Sequence, residues 1–165
     1  MRPGSVRPVP DVLEAIRSAD LITVGPGSLY TSLIPNLLVH GIVHAMRRSP
    51  AVKVYVGNLM TQPGETDGLS LAEHIEAINR HARGRVFDMT VLNSTPISPS
   101  ALRRYRAQGA EPVLSDVDRV RAMGMRVFEA DLLARGSTVR HDPLQLAGAL
   151  RLAYRQYRSS LSRNR

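Results

Sequence analysis

Four short polar segments contain the side chains best suited to binding an anionic ligand. They are residues 25–28, 58–68, 93–96 and 140–142. The first is a glycine-rich turn, Gly25 to Ser28, where the backbone can approach a phosphate closely and Ser28 can donate to it. An ordinary tight turn is the alternative, since the segment matches neither the dinucleotide-binding nor the P-loop pattern. We therefore take Gly25, Gly27 and Ser28 as candidates whose role depends on the other segments lying nearby.

The second segment, NLMTQPGETDG, is unusually rich in hydrogen-bonding side chains around two glycines. A bland polar turn is the alternative interpretation, but a purely structural loop seldom needs so many fixed donors and acceptors. Asp67 with Glu65 is a candidate acid/base or Mg²⁺ pair. The ligand-binding candidates in this loop are Asn58, Thr61, Gln62 and Asp67.

The third and fourth segments add an amide, Asn93, and a guanidinium, Arg140. A guanidinium can hold a phosphate through two parallel hydrogen bonds, although a surface ion pair is the alternative for Arg140. His74 lies one helical turn after the long loop and is the histidine we expect to contact a ligand. His40 and His44 have helical metal-binding spacing but lack the glutamate of a zinc protease, so we expect ordinary histidines there. The chain has no cysteine, which excludes disulfides and thiolate metal sites.

These polar segments follow apolar runs and precede helical patterns. The predicted strands are residues 21–24, 52–56 and 86–92, with weaker signals at 112–114 and 126–130. Alternating strands and helices favour an α/β fold with a mostly parallel sheet and helices on its faces. Ligands bind such sheets beyond the carboxyl ends of the strands, so the four segments are predicted to meet at one rim. No linker divides residues 1–165, which we interpret as one domain.

Helix signals separate the strands. The predicted N-caps are Asp11, Ser70, Ser98 and Asp142. Glu73 and Gln145 are the expected capping-box partners of two of them. A further helix from about Thr31 is predicted to turn one face to the core, formed by Leu37, Leu38, Ile42 and Met46. Residues 1–10 have the composition of an incoming connection, and residues 159–165 that of a frayed tail.

The net charge is +8, from 22 Lys and Arg against 14 Asp and Glu, and it favours anionic partners. We interpret the arginines near the end of the chain as the solvated face of a terminal helix; they are Arg151, Arg155, Arg158, Arg163 and Arg165. A nucleic-acid patch is disfavoured because only 4% of residues are aromatic, and an acidic protein partner is the other alternative. No apolar stretch has the length of a membrane span or the core of a signal peptide, which predicts a cytoplasmic protein without a membrane partner.

Longer strings around these segments resemble successive motifs of the YvcK/CofD-like family, specifically its gluconeogenesis-factor (YvcK) branch. The strings are ADLITVGPGSLYTSLIPNLLVHGI, KVYVGNLMTQPGETDGLSLAEHIEAI, VLNSTPIS and VRHDPLQLA. The resemblance spans nearly the whole chain and matches the C-terminal half of the family pattern. It implies a Rossmann-like three-layer α/β/α fold without the family's N-terminal glycine-rich strand-turn-helix, which supplies the principal phosphate cradle.

The resemblance implies a regulator that binds nucleotide sugars, notably UDP-N-acetylglucosamine, and influences carbon use, cell-wall synthesis and cell shape without robust catalysis. The alternative is a CofD-like 2-phospho-L-lactate transferase, which transfers a phospholactyl group to a deazaflavin in coenzyme F420 synthesis. Under that alternative Asp67 would be catalytic and close to Mg²⁺; otherwise no metal or cofactor is implied.

Carried over by position, the resemblance implies ligand contacts from the glycine-rich turn, the long loop and Arg140. It adds Tyr105, which would lie against the nucleotide; a helix residue covering the core is the alternative. A stacked aromatic ring and an arginine suit a uracil and a diphosphate. A homo-oligomer is compatible with this interpretation. Strands that pair with the family's N-terminal half would leave an exposed sheet edge, which predicts a tendency to aggregate.

Overall fold

A computed structural model describes residues 6–163 of the chain. Four strands form one parallel sheet in the order β1-β2-β3-β4, so β1 and β4 are its edges within the described residues. The strands are β1 (Leu21–Val24), β2 (Val52–Val56), β3 (Met89–Asn93) and β4 (Arg126–Ala130). The α/β fold with a parallel sheet, predicted from the alternation of strands and helices, is confirmed.

Seven α-helices accompany the strands in the described residues. They are α1 (Pro10–Ser18), α2 (Ile34–Leu37), α3 (Ile42–Arg48), α4 (Leu71–His81), α5 (Pro99–Arg106), α6 (Val117–Ala122) and α7 (Pro143–Arg163). A π-helical turn, Leu29–Leu33, precedes α2. No single helix in this part of the chain has the length and apolar character needed to cross a membrane. One pair of helical segments, Leu29–Leu37 and Ile42–Arg48, has that length and character when taken together, but the two are bent by 71° relative to each other.

The strand order explains the layers. Each connection moves one strand further in the same direction, and right-handed crossovers then place their helices on the same face of the sheet. On that face Tyr55 and Leu92 pack into a core with the α4 residues Ile75 and Ile78. Alternate strand residues point the other way, where a second core contains Val54, Val91 and the α7 residues Ala149 and Ala153. The sheet is therefore a middle layer between two helical layers.

The prediction of a single helix from about Thr31 is wrong. The chain forms a π-helical turn, then the short helix α2, and leaves the helical path before α3. Gly41 has φ +88°, a left-handed conformation that glycine adopts at no steric cost, and it marks the break. As a result Leu38, which was expected in the core, is 37% exposed, whereas Leu37, Ile42 and Met46 are buried.

Two strand predictions also need correction. The third strand begins at Met89 rather than Val86, because the Val86 N–H donates to the Asn79 side chain, at 3.2 Å, instead of to a neighbouring strand. Residues 112–114 form no strand; Pro112 makes one isolated antiparallel bridge with Met60. The weak signal at 126–130 is confirmed as β4.

Ser70, Ser98 and Asp142 cap their helices as predicted. The prediction for Asp11 is wrong, because it lies inside α1, whose N-cap is Val9. Ser70 Oγ accepts from the Glu73 N–H at 3.2 Å and Glu73 Oε2 accepts from the Ser70 N–H at 2.8 Å, so the predicted capping box is present. That backbone N–H is the main reason the pKa of Glu73 is lowered. Asp142 caps α7 by accepting from the Gln145 N–H at 3.0 Å, but its own N–H donates to Leu132 O at 2.7 Å, which replaces the expected Gln145 side-chain bond.

The end of α7 is held by β4. The Arg126 guanidinium lies 4.8 Å from the centre of the Tyr157 ring, and it also bonds to Ser160 Oγ. Residues 159–163, expected in a frayed tail, accordingly continue the helix. Arg151, Arg155 and Arg158 are exposed as predicted; the Arg163 side chain, Arg165 and the first half of the proposed incoming connection, residues 1–5, lie outside the described residues.

Candidate functional site

Loops from the carboxyl ends of β1 and β2 and from the segment before α7 line one open pocket of about 510 Å³. We call it the loop pocket. It brings together most of the predicted site residues, namely Gly27, Ser28, Asn58, Thr61, Gln62, Tyr105 and Arg140. The prediction that distant polar segments meet at one rim is therefore confirmed for three of the four, since residues 93–96 lie at a neighbouring pocket.

Three buried polar atoms of the pocket lining have no hydrogen-bond partner among the described residues. They are Asn58 Oδ1, Gln62 Oε1 and His141 Nε2. The Asn58 amide is fixed in orientation because its Nδ2 donates to Gly27 O at 3.1 Å, so its Oδ1 is an acceptor. Buried polar atoms nearly always have a partner in folded proteins. The wall of this pocket therefore contains two amide acceptors and one imidazole nitrogen that no described residue satisfies.

Arg140 lies exposed at the same pocket. The ion pairs within residues 6–163 involve Lys53 or other arginines, and none involves Arg140. The surface ion pair considered for Arg140 is thus absent from the described residues. Its guanidinium is available to a carboxylate or phosphate of a ligand.

His141 is the pocket residue that the sequence reasoning missed. Burial lowers its pKa, and a backbone hydrogen bond with Gly57 opposes this effect. The imidazole is therefore neutral at pH 7, and its Nε2 can donate or accept according to the tautomer. The signal was its position directly beside Arg140 in the RHD string, where only the arginine had been taken as a candidate.

Tyr105, on α5, has two contacts that define its place. Its hydroxyl accepts from the Val139 N–H at 3.1 Å, and Tyr105 lines the loop pocket and belongs to neither hydrophobic core. The neighbouring Arg104 donates to Ser137 O. Helix α5 thereby fastens the segment that carries Arg140 and His141.

The glycine-rich turn already holds a carboxylate. Ser28 Oγ lies 2.6 and 2.8 Å from the two oxygens of Glu65, and the Tyr30 N–H donates to the same group at 3.2 Å. Ser28 was expected to donate to a phosphate, but in this structure its hydrogen goes to Glu65. The Glu65–Asp67 pair is not formed as a joint site, since Asp67 Oδ2 accepts from the Gly64 N–H at 2.6 Å within its own loop.

Gly25, Asp67 and Asn93 are not part of the loop pocket lining. Gly25 has φ +94°, and a Cβ there would lie 2.8 Å from Val56 O, which gives it a clear structural role. Asn93 Oδ1 accepts from the Leu132 N–H at 3.0 Å, and Asn93 lines the neighbouring pocket of about 250 Å³, which shares Asn58.

The histidine predictions had mixed outcomes. The expectation that His74 contacts a ligand is wrong, because it is fully buried and its Nδ1 bonds to Ser70 O at 2.8 Å. His40 and His44 are exposed. Within residues 6–163 no three His, Asp or Glu side chains come together as a metal site. The single carboxylate of Asp67, engaged with Gly64, does not fit Mg²⁺ as these residues stand.

Comparison with known proteins now gives the class. The model of the 2-phospho-L-lactate transferase CofD family matches residues 1–133, and the chain belongs to this family. Its relatives include the putative gluconeogenesis factor of Deinococcus radiodurans, 48% identical over 91% of the chain, and the gluconeogenesis factor of Bacillus subtilis, 40% identical over 91%. The predicted resemblance to the gluconeogenesis-factor branch is thereby confirmed.

The fold comparison agrees with the sequence comparison. A crystal structure of a UPF0052 family member from Bacillus halodurans superposes with a TM-score of 0.87 at 39% identity and covers 91% of the chain. The chain spans about a third to a half of the length of such relatives: 48% of that structure, 48% of the Bacillus subtilis protein and 32% of the Deinococcus radiodurans protein. It corresponds to their C-terminal part.

Proposed function

We propose that the loop pocket is part of a binding site for a nucleotide sugar of the UDP-N-acetylglucosamine type, in a cytoplasmic regulator of carbon metabolism, cell-wall synthesis and cell shape. The names of the gluconeogenesis-factor relatives support the regulatory role. Because the chain spans about a third to a half of those relatives, we assign to it only the contacts that the loop pocket can make.

The observation that carries the proposal is that buried acceptors without donors and an arginine without an ion-pair partner occur at the same pocket. Asn58 Oδ1 and Gln62 Oε1 are buried without donors, and Arg140 stands at the same pocket without a carboxylate among the described residues. A nucleotide sugar offers both complements, since its imide N–H and sugar hydroxyls donate and its diphosphate accepts from a guanidinium. The Tyr105 ring supplies an apolar face for a base.

The family description favours a second candidate, transfer of a phospholactyl group to a deazaflavin. That reading depends on Asp67 as the group near Mg²⁺. Here the Asp67 carboxylate bonds inside its own loop and lies away from the loop pocket lining. The binding proposal is therefore the better supported one.

Isothermal titration calorimetry with UDP-N-acetylglucosamine tests the proposal. We expect Arg140→Ala to weaken binding about tenfold to a hundredfold, because a charge-assisted hydrogen bond contributes about 1.5–3 kcal/mol. Arg135→Ala is the matched control, since Arg135 is an exposed arginine of the same connection that does not line the pocket. Gln62→Leu should weaken binding as well, by removing the buried acceptor.

Comparison of ligands separates the candidates. UDP and N-acetylglucosamine alone should each bind more weakly than the joined molecule. Equal heats from the original protein, Arg140→Ala and Gln62→Leu would remove this pocket from the site. Phospholactyl transfer to a deazaflavin that depends on Asp67 would establish the enzyme instead.

A further inference from the structure

A second concave surface lies between α1 and α3, and Arg7 and Pro8, which precede α1, also line it. Its volume is about 700 Å³, larger than the loop pocket. We call it the basic groove. Its cationic and imidazole side chains are Arg7, Arg17, His40, His44 and Arg48.

The groove has one sign of charge. No Asp or Glu is among the residues that line it; the carboxylates of α1 are Asp11, in its first turn, and Glu14, which lies 3.5 Å from Arg17. The adjacent Arg47 is committed to the fold, because it donates to Ala82 O at 2.9 Å and to Arg85 O at 3.1 Å. Arg48 and Arg7, by contrast, have no side-chain hydrogen bond within residues 6–163.

The groove also offers apolar surface. Leu13 and Ala45 face it from the two helices, and Pro8, Pro10 and Pro50 complete the lining. Val9 and Val12, which adjoin lining residues in the sequence, are 63% and 42% exposed. A ligand that matches this surface must carry both negative charge and an aliphatic group.

The basic groove is separate from the loop pocket. Ser49 and Pro50 come before the first residue of β2, whereas Asn58 follows its last residue. A strand of five residues spans roughly 17 Å at about 3.3 Å per residue. The two surfaces thus lie at opposite ends of the sheet, and a ligand in one leaves the other open.

We propose that the basic groove binds an acidic peptide segment of a partner protein, with carboxylates against the arginines and an aliphatic side chain between α1 and α3. Guanidinium groups pair with carboxylates through parallel hydrogen bonds, and the apolar floor takes up a leucine-like side chain. Single-stranded nucleic acid is disfavoured, because no Phe, Tyr or Trp lines the described groove to stack on bases.

Fluorescence anisotropy with a labelled acidic octapeptide that has a central leucine tests this inference. Arg17→Glu with Arg48→Glu should weaken binding about tenfold, because each reversal replaces an attraction by a repulsion at a partly exposed site. The control is Arg151→Glu with Arg158→Glu, which makes the same change of net charge on the exposed face of α7. Melting curves establish that both double variants are folded.

The peptide and salt series complete the test. Serine in place of the central leucine should weaken binding, and added salt should weaken it further by screening the charges. Equal affinity of the groove variant and the α7 variant would overturn the inference. So would a single-stranded oligonucleotide that binds more tightly than the peptide and loses binding in the groove variant.

Discussion

Replacing Tyr105 by Phe removes one hydroxyl and keeps the ring that lines the loop pocket. The lost group is the acceptor of the Val139 N–H, at 3.1 Å. Val139 immediately precedes Arg140 and His141, so this bond holds the backbone that presents both of them. We expect the ligand-facing segment, rather than the whole domain, to loosen.

The expected loss of free energy follows from the hydrogen bond that is removed. A neutral hydrogen bond contributes about 1 kcal/mol net, and a partly buried N–H left without an acceptor raises the cost toward about 2 kcal/mol. One to two kcal/mol corresponds to a factor of about 5–30 in an equilibrium. Opening of residues 131–142 should become more frequent by that factor.

Amide hydrogen exchange followed by mass spectrometry measures the effect segment by segment. Faster exchange is expected in residues 131–142 of Tyr105→Phe, with the sheet unchanged. Tyr154→Phe is the matched control, since Tyr154 is half-buried on α7, outside the loop pocket. Calorimetry on the same variant should show weaker nucleotide-sugar binding of similar size, because the ligand must select the ordered segment.

The reasoning fails if Tyr105→Phe leaves exchange of residues 131–142 unchanged. It also fails if the variant binds the nucleotide sugar normally while Tyr105→Ala does not, since that result would make the ring face the sole contribution.

Three further perturbations address the framework of the site. Gly25→Ala should cost about 2–4 kcal/mol and lower the melting temperature by several degrees, because its φ of +94° disfavours a side chain and the new Cβ would lie 2.8 Å from Val56 O. Asp116→Ala should cost about 2–3 kcal/mol in urea unfolding, since its carboxylate accepts from Ser70 Oγ at 2.7 Å at the start of α4; a loss below 0.5 kcal/mol would count against it. His141→Gln should flatten the pH dependence of stability. Burial lowers the pKa of His141 in the folded protein, so the unfolded chain takes up the proton first as the pH falls. The stability that is present above about pH 6.5 is therefore lost as the pH falls through the lower pKa of the folded state. Melting temperatures at about pH 7.5 and pH 5 measure this, and an identical slope in both proteins would contradict it.

The sheet and most caps could be predicted from the sequence because local signals there agree with the tertiary structure. Ser70 with Glu73 forms the expected capping box, and the apolar run of β2 forms a buried central strand. The break at Gly41 was missed because helical periodicity continues across it, whereas only the positive φ of one glycine interrupts the helix.

The candidate site was harder to predict because its contacts join residues far apart in the chain. Sequence identifies Ser28 and Glu65 as polar, but their direct bond depends on how two loops fold over one another. His74 was expected at the ligand on the strength of its position after the loop, yet its side of α4 faces the core. His141 was not singled out within the segment 140–142, because the burial that places its imidazole in the pocket wall depends on contacts between distant parts of the chain.

The hydrogen bond between Ser28 and Glu65 makes the distribution of charge around the loop pocket asymmetric. Negative charge is already present at the glycine-rich turn, while Arg140 provides positive charge elsewhere at the same opening. A molecule with one negatively charged end and one neutral, hydroxyl-bearing end therefore has a lower electrostatic energy when its negative end is toward Arg140 than when the ends are reversed. We therefore expect the carboxylate of Glu65 to disfavour one of two orientations of such a ligand by electrostatic repulsion.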